Sequence, residues 1–169
     1  MKDDEAELDS TTDATMPDAI DLLQADHDEV RQMFDDYETL LDDEAPEAER
    51  EELAWQICAM LNVHSTIEEE LLYPAAREVL DGSRLIDVAS IEHSVARALI
   101  AEIEEMSASD ALFDARVTVL GEYMRHHIEE EEEELLPQMV QAGVDMQALG
   151  AQLAGRKQEM LAELGLDSE

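Results

Sequence analysis

Apolar residues recur along this chain in steps of three and four, the spacing that gathers them on one face of a helix. A first seam runs Ile20, Leu23, His27, Val30, Phe34, Tyr37, Leu41, and a second Ile57, Leu61, His64, Glu68, Leu71. The third is Ile86, Ala89, His93, Ala96, Ile100, Ile103, and the fourth Phe113, Val117, Leu120, Met124, His127, Glu131. Each seam carries one histidine, so each helix is predicted to point one imidazole inward.

The breaks between seams set the element bounds. Thr15 with Asp18 three places on reads as a capping box, and Pro17 suits the first turn of a helix ending near Leu41. The stretch DDEAPEAE interrupts it, with Asp43 or Glu44 as cap and Pro46 in the first turn of a second helix over 46–80, kinked at Pro74. DGS ends that helix, Ser83 caps a third reaching about Met106, SASD is a turn, and a fourth covers 110–140 with Pro137 where Pro74 stood. After QAGVD, a short fifth helix over 145–164 carries Met146, Leu149, Leu153, Met160 and Leu161 at helical spacing. Long helices joined by short loops make antiparallel neighbours. The expected fold is therefore all-α, an up-down-up-down four-helix bundle with a short C-terminal fifth helix. Residues 1–15, acidic with little to bury, are expected to be a disordered tail, leaving 16–169 as one domain.

Composition agrees with helices: 45% of the residues are apolar but only 4% aromatic, with six glycines and four prolines in 169 residues. Charge narrows the partners. A formal charge of -35, with 45 acidic against 10 basic residues, repels phosphate backbones and anionic headgroups, so neither nucleic acid nor a membrane is expected as partner. It also repels itself, which concentrated salt relieves, and the acidity reads as halophilic adaptation to a salty cytoplasm. The one cysteine, Cys58, excludes an intramolecular disulfide and a thiolate-rich metal site, and its apolar stripe predicts a buried packing role. The opening MKDDEAELDSTTDAT lacks the apolar core of a signal peptide, and a soluble, cytoplasmic protein is expected.

The chemistry lies in a repetition. HSTIEEELLYP, from His64 to Pro74, is echoed by HIEEEEEELLP, from His127 to Pro137. The step from His27 to His93 is 66 residues, and those from His64 to His127 and from Glu68 to Glu131 are 63 each, so the chain is a duplicated helical hairpin with a pseudo-two-fold axis. Residues four apart share a helix face, so each HxxxE pair grips one ion or ion pair. Four imidazoles and two carboxylates buried in an apolar bundle are costly unless dications neutralise them. Imidazole with carboxylate suits iron, manganese or zinc. If Glu68 and Glu131 both bridge two metals, each ion receives two histidines and two carboxylate oxygens, and one oxo or hydroxo bridge makes five ligands with a position left open.

These residues resemble the hemerythrin-like (HHE cation-binding) family over about residues 17–140. The resemblance implies a non-haem di-iron centre, two iron ions held by His27, His64, Glu68, His93, His127 and Glu131. It also implies binding or sensing of dioxygen, nitric oxide or iron, or, on a catalytic reading, action on peroxide or nitric oxide or iron supply for iron-sulfur cluster repair. The family's oxygen carriers have another histidine four residues from the one on the third helix; here Ala89 and Arg97 stand four from His93, which speaks against oxygen carriage. The partner implied is a diatomic molecule or peroxide, and the sequence names no protein partner. His126 with Glu130 also reads HxxxE, but the proline register favours His127 and leaves His126 at the rim. Glu69 and Glu92 are expected at the surface or behind a ligand, and Tyr37 and Tyr123 near the core, packing or donating to a metal-bound group.

Overall fold

The computed structural model describes residues 16–166. Among these it is helical throughout, with α1 Ala19–Asp42, α2 Glu47–Ile67, α3 Tyr73–Val79, α4 Arg84–Glu104, α5 Phe113–Glu130, α6 Leu136–Gln141 and α7 Met146–Glu163. Helices α1, α2, α4 and α5 form the expected bundle, α1 beside α2 and α5, and α4 beside the same two. The proposed tail over 1–15 and the cap at Thr15 lie outside the described residues.

Local chemistry fixes the ends, with three shifts from expectation. Asp18 itself caps α1, accepting the Asp21 N–H at 2.9 Å, so Pro17 precedes the helix instead of starting it. Pro46 is the cap of α2, its carbonyl taking the Glu49 and Arg50 N–H groups, while Asp43 and Glu44 belong to the preceding turn. Asp110 is spent on the turn, accepting the Ser107 N–H at 2.7 Å, which delays α5 to Phe113. Ser83 caps α4 as expected, and Asp145, read as the start of the last helix, is the cap of α7.

At the two prolines the α-helical ladder is interrupted. It widens into one turn of π-helix, Glu68–Leu72 before α3 and Glu131–Leu135 before α6. Tyr73 N–H donates to the Glu68 carbonyl and Leu136 N–H to the Glu131 carbonyl, each five residues back. Pro74 and Pro137 have no N–H for the carbonyls of Glu70 and Glu133, and their rings crowd those groups; an inserted residue relieves both faults. The insertion slips the seam by one position. Leu72, not the expected Leu71, is buried, and Tyr73 and Ala76 turn inward behind it.

The apolar core forms two lobes. One holds Val30, Phe34, Ile57, Leu61, Ala96, Ile100, Leu120, Met124 and Ile128; the other holds Leu23, Ile67, Leu72, Ile86, Ala89, Leu135 and Met139. Helices α1, α2 and α4 each place residues of the two lobes on either side of their histidine, and the chain beyond α5 enters the second lobe at Leu135. Cys58 packs in the first lobe, and burial, with Glu104 nearby, pushes its thiol up to about 12. Helix α7 lies against α1, α2 and the first π-turn, and approaches α1 so closely that a Cβ on Gly150 would sit 2.6 Å from Ala19 N. No described helix is long and apolar enough to cross a membrane.

Candidate metal centre

Between the lobes the four seam histidines and two glutamates meet in one buried polar layer. His27 comes from α1, His64 from α2, His93 from α4 and His127 from α5, while Glu68 and Glu131 open the two π-turns. The widened turn begins at the carboxylate in each repeat, so the proline ten residues after the histidine shapes the backbone that presents it. Ligand atoms of His27, His64, Glu68 and Glu131 lie within 4.8 Å of one another, and so do those of Glu68, His93, His127 and Glu131. Both glutamates belong to both groups. Two histidine pairs thus flank a shared pair of carboxylates, with ring centroids 5.0 Å apart for His27 and His64 and 4.6 Å for His93 and His127.

Glu68 touches all four imidazoles: His64 Nε2 most closely, His93 Nε2 at 3.1 Å, His27 Nε2 at 3.6 Å and His127 Nε2 at 3.8 Å. Glu131 Oε2 approaches His127 Nε2 at 2.8 Å. Proximity is not satisfaction. Both ring nitrogens of His27 and of His64, His93 Nδ1, Glu68 Oε1 and both Glu131 oxygens are buried without a hydrogen-bond partner. So many orphaned polar atoms in one apolar bundle would be a heavy liability on their own. Their donor chemistry, imidazole nitrogen and carboxylate oxygen converging with no Lys or Arg among them, fits dications.

The protonation of the cluster follows from the same contacts. Burial alone would lower the His64 pKa, but Glu68, Asp26 and Glu131 raise it to about 10. For His127, burial is likewise outweighed by Glu131, Glu68 and Glu92, which bring it to about 12. Glu68 would be raised by burial, yet the imidazoles of His64, His127 and His27 hold it well below the usual carboxylate range.

Behind the cluster each histidine's Nδ1 faces another carboxylate. His127 lies 3.4 Å from Glu92, His27 3.4 Å from Glu132, His64 3.6 Å from Asp26 and His93 3.8 Å from Glu69. Such outer carboxylates orient a ligating ring and make its other nitrogen more basic. Glu69 and Glu92, expected at the surface or behind a ligand, therefore stand behind His93 and His127. Asp26 and Glu132 escaped the sequence reading, although Asp26 directly precedes His27.

Of the two tyrosines expected near the core, Tyr37 packs there, and the donating role falls to neither. Tyr37 donates to Asp114 at 2.6 Å in the apolar lobe, and among the described residues neither it nor Tyr123 hydrogen-bonds any of the six. Tyr73 does. Its hydroxyl donates to Glu68 Oε2 at 3.0 Å, and lies 3.0 Å from His93 Nε2 and 3.4 Å from His127 Nε2. Burial, reinforced by Glu68 and Glu131, pushes its pKa well above the ordinary value, so it stands protonated as a donor. The repeat carries the signal that would have found it: the residue before Pro74 is Tyr73 and that before Pro137 is Leu136, so only the first half-site places a hydroxyl there. His126 is 66% exposed and stands outside the cluster, paired with Glu130 at 3.2 Å.

Beside the cluster lies a small cavity of about 10 Å³, lined by Glu92, His127, Glu130, Glu131 and neighbouring apolar groups. That is room for roughly a single water.

Comparison with known proteins agrees with this geometry. The model of the hemerythrin HHE cation binding domain matches residues 18–139. No curated protein matches the chain. A crystal structure of a hemerythrin HHE cation binding domain-containing protein from Mycobacterium kansasii superposes with a TM-score of 0.73 at 22% identity, covering 88% of this chain and 90% of that one. At that identity the likeness concerns the fold, while the family match covers all six clustered residues, and by it the chain belongs to the hemerythrin HHE cation-binding domain family.

Proposed function

We propose that His27, His64, Glu68, His93, His127 and Glu131 hold two iron ions, and that the protein uses them to bind or sense dioxygen, nitric oxide or iron itself. One observation carries the reading: both glutamates are shared by two histidine pairs, a donor set for two ions with carboxylates between them. Bound iron supplies a redox-active Lewis acid able to take a small ligand. The chain supplies the rest. Two apolar lobes keep bulk water away, four outer carboxylates orient the imidazoles, and the cavity beside His127 and Glu131 has room for a small molecule of about the size of a water.

Reconstitution with ferrous iron without oxygen, followed by air, tests this. About two irons per chain and an air-dependent near-ultraviolet absorption are expected, since imidazole with carboxylate suits iron. Less than one metal per chain with no spectral change would leave the repeat a structural relic. Tyr73 favours a second reading, turnover of peroxide or nitric oxide, because its buried hydroxyl is a proton donor at the cluster. Steady consumption of peroxide by the loaded protein above free iron, lost in Tyr73→Phe with iron content unchanged, would establish it.

The surface charge supports a saline setting. Screening lengths fall from about 10 Å at 0.1 M salt to about 3 Å at 1 M, so a chain of -35 formal charge should melt at rising temperature as salt increases. A melting temperature unchanged between about 0.1 and 3 M would sink the halophilic reading.

A further inference from the structure

Of the four outer carboxylates, three are held by a fixed cation. Arg31 forks onto Glu132 at 3.2 and 2.9 Å, Lys157 from α7 pairs with Asp26, and Arg97 pairs with Glu69. The fourth, Glu92 behind His127, has no such partner among the described residues. Beside it stand Glu130 and His126, and Arg125, next along the chain, is turned to Asp35 and Glu38. In a protein with only 10 basic residues, three are placed at this task and the fourth position is left to two acids and an imidazole.

We propose that Glu92, His126 and Glu130 form a surface site for a divalent cation, ferrous iron included, at the entrance to the buried cluster. One ligand atom from each lies within 4.8 Å of the others, and His126 Nε2 is 3.2 Å from Glu130 Oε1. Two carboxylates with one imidazole are hard and borderline donors suited to such an ion. The set spans the boundary between solvent and core, from exposed His126 to nearly buried Glu92.

A second observation gives the site its direction. Glu92 and Glu130 line the same small cavity as His127 and Glu131, and Glu131 is 2% exposed with its Oε1 buried and without a hydrogen-bond partner. The surface set and the buried Glu131 carboxylate thus face one cavity. The inference rests on the reading that the buried cluster holds metal, and its test separates the two.

Full-length protein and the His126→Ala/Glu130→Gln variant are titrated with cobalt(II) under equilibrium dialysis, and ferrous loading is followed by stopped flow with the air-dependent absorption as readout. Wild type is expected to bind one cobalt more, and the variant to load at least about tenfold more slowly to the same final absorption, as loss of a charge-focusing entrance slows capture. Equal cobalt counts and equal rates would overturn the site. So would a variant that folds yet never reaches the wild-type absorption, because His126 or Glu130 would then belong to the buried cluster. A cobalt difference that persists when neither protein gains the absorption supports the surface site and removes the di-iron reading instead.

Discussion

Glu68→Ala protein, loaded with ferrous iron and passed over a desalting column, is expected to retain less than half the metal of wild type. Glu131→Ala should behave alike, and His126→Ala should keep most of its iron. The expectation follows from sharing. Each histidine serves one group of donors, but Glu68 and Glu131 serve both, and Glu68 reaches all four imidazoles. Removing Glu68 takes a ligand from two ions at once and strips charge compensation from two protonation-prone rings, His64 and His127. His27→Ala should do less, since it subtracts one ligand from one ion. Metal analysis on the four variants decides it, with circular dichroism as the check that each still folds. If His126→Ala loses as much as Glu68→Ala, the exposed imidazole is a ligand and the helix register at the second HxxxE is wrong.

The parts of this molecule legible in its sequence were those with a period. Seams stepping by three and four gave the bundle, and the steps of 63 and 66 residues gave the symmetry that brings His27, His64, His93 and His127 to one level. The π-turns were not legible as such, because a proline in a helical pattern predicts a fault without saying how the backbone absorbs it. That is why Leu71 was expected inward where Leu72 lies. Tyr73 was missed for the same reason: in an unbroken α-helix it falls off the seam, and only the inserted residue turns it to Glu68. The outer carboxylates are harder still. Asp26 and Glu132 are two among 45 acids, and what marks them is a cation from another helix, Lys157 or Arg31, which no local pattern reveals.

Metal-free and iron-loaded protein are expected to respond to alkali with opposite signs. Without metal, His64 and His127 have folded pKa values raised to about 10 and 12, against about 6.5 in an unfolded chain. A group raised on folding stabilises fully below its unfolded value, and that contribution drains away as pH climbs toward the folded one. The metal-free melting temperature should therefore fall steadily from about pH 6.5 upward. If iron is held as proposed, the same imidazoles serve as neutral ligands in the loaded protein, and protons compete with iron for them. Raising the pH removes the competitor, so metal binding tightens and carries folding stability with it by mass action. Across about pH 6.5 to 9.5 the carboxylates of the surface stay ionised, so their mutual repulsion is common to both samples and cancels in the comparison. Melting curves of chelated and loaded protein at several pH values, in one buffer series of constant high salt, supply the measurement. A downward slope without metal and a level or upward one with it would tie the buried imidazoles to the ion. Parallel slopes would mean that the histidines titrate alike with and without iron, and that the iron sits elsewhere.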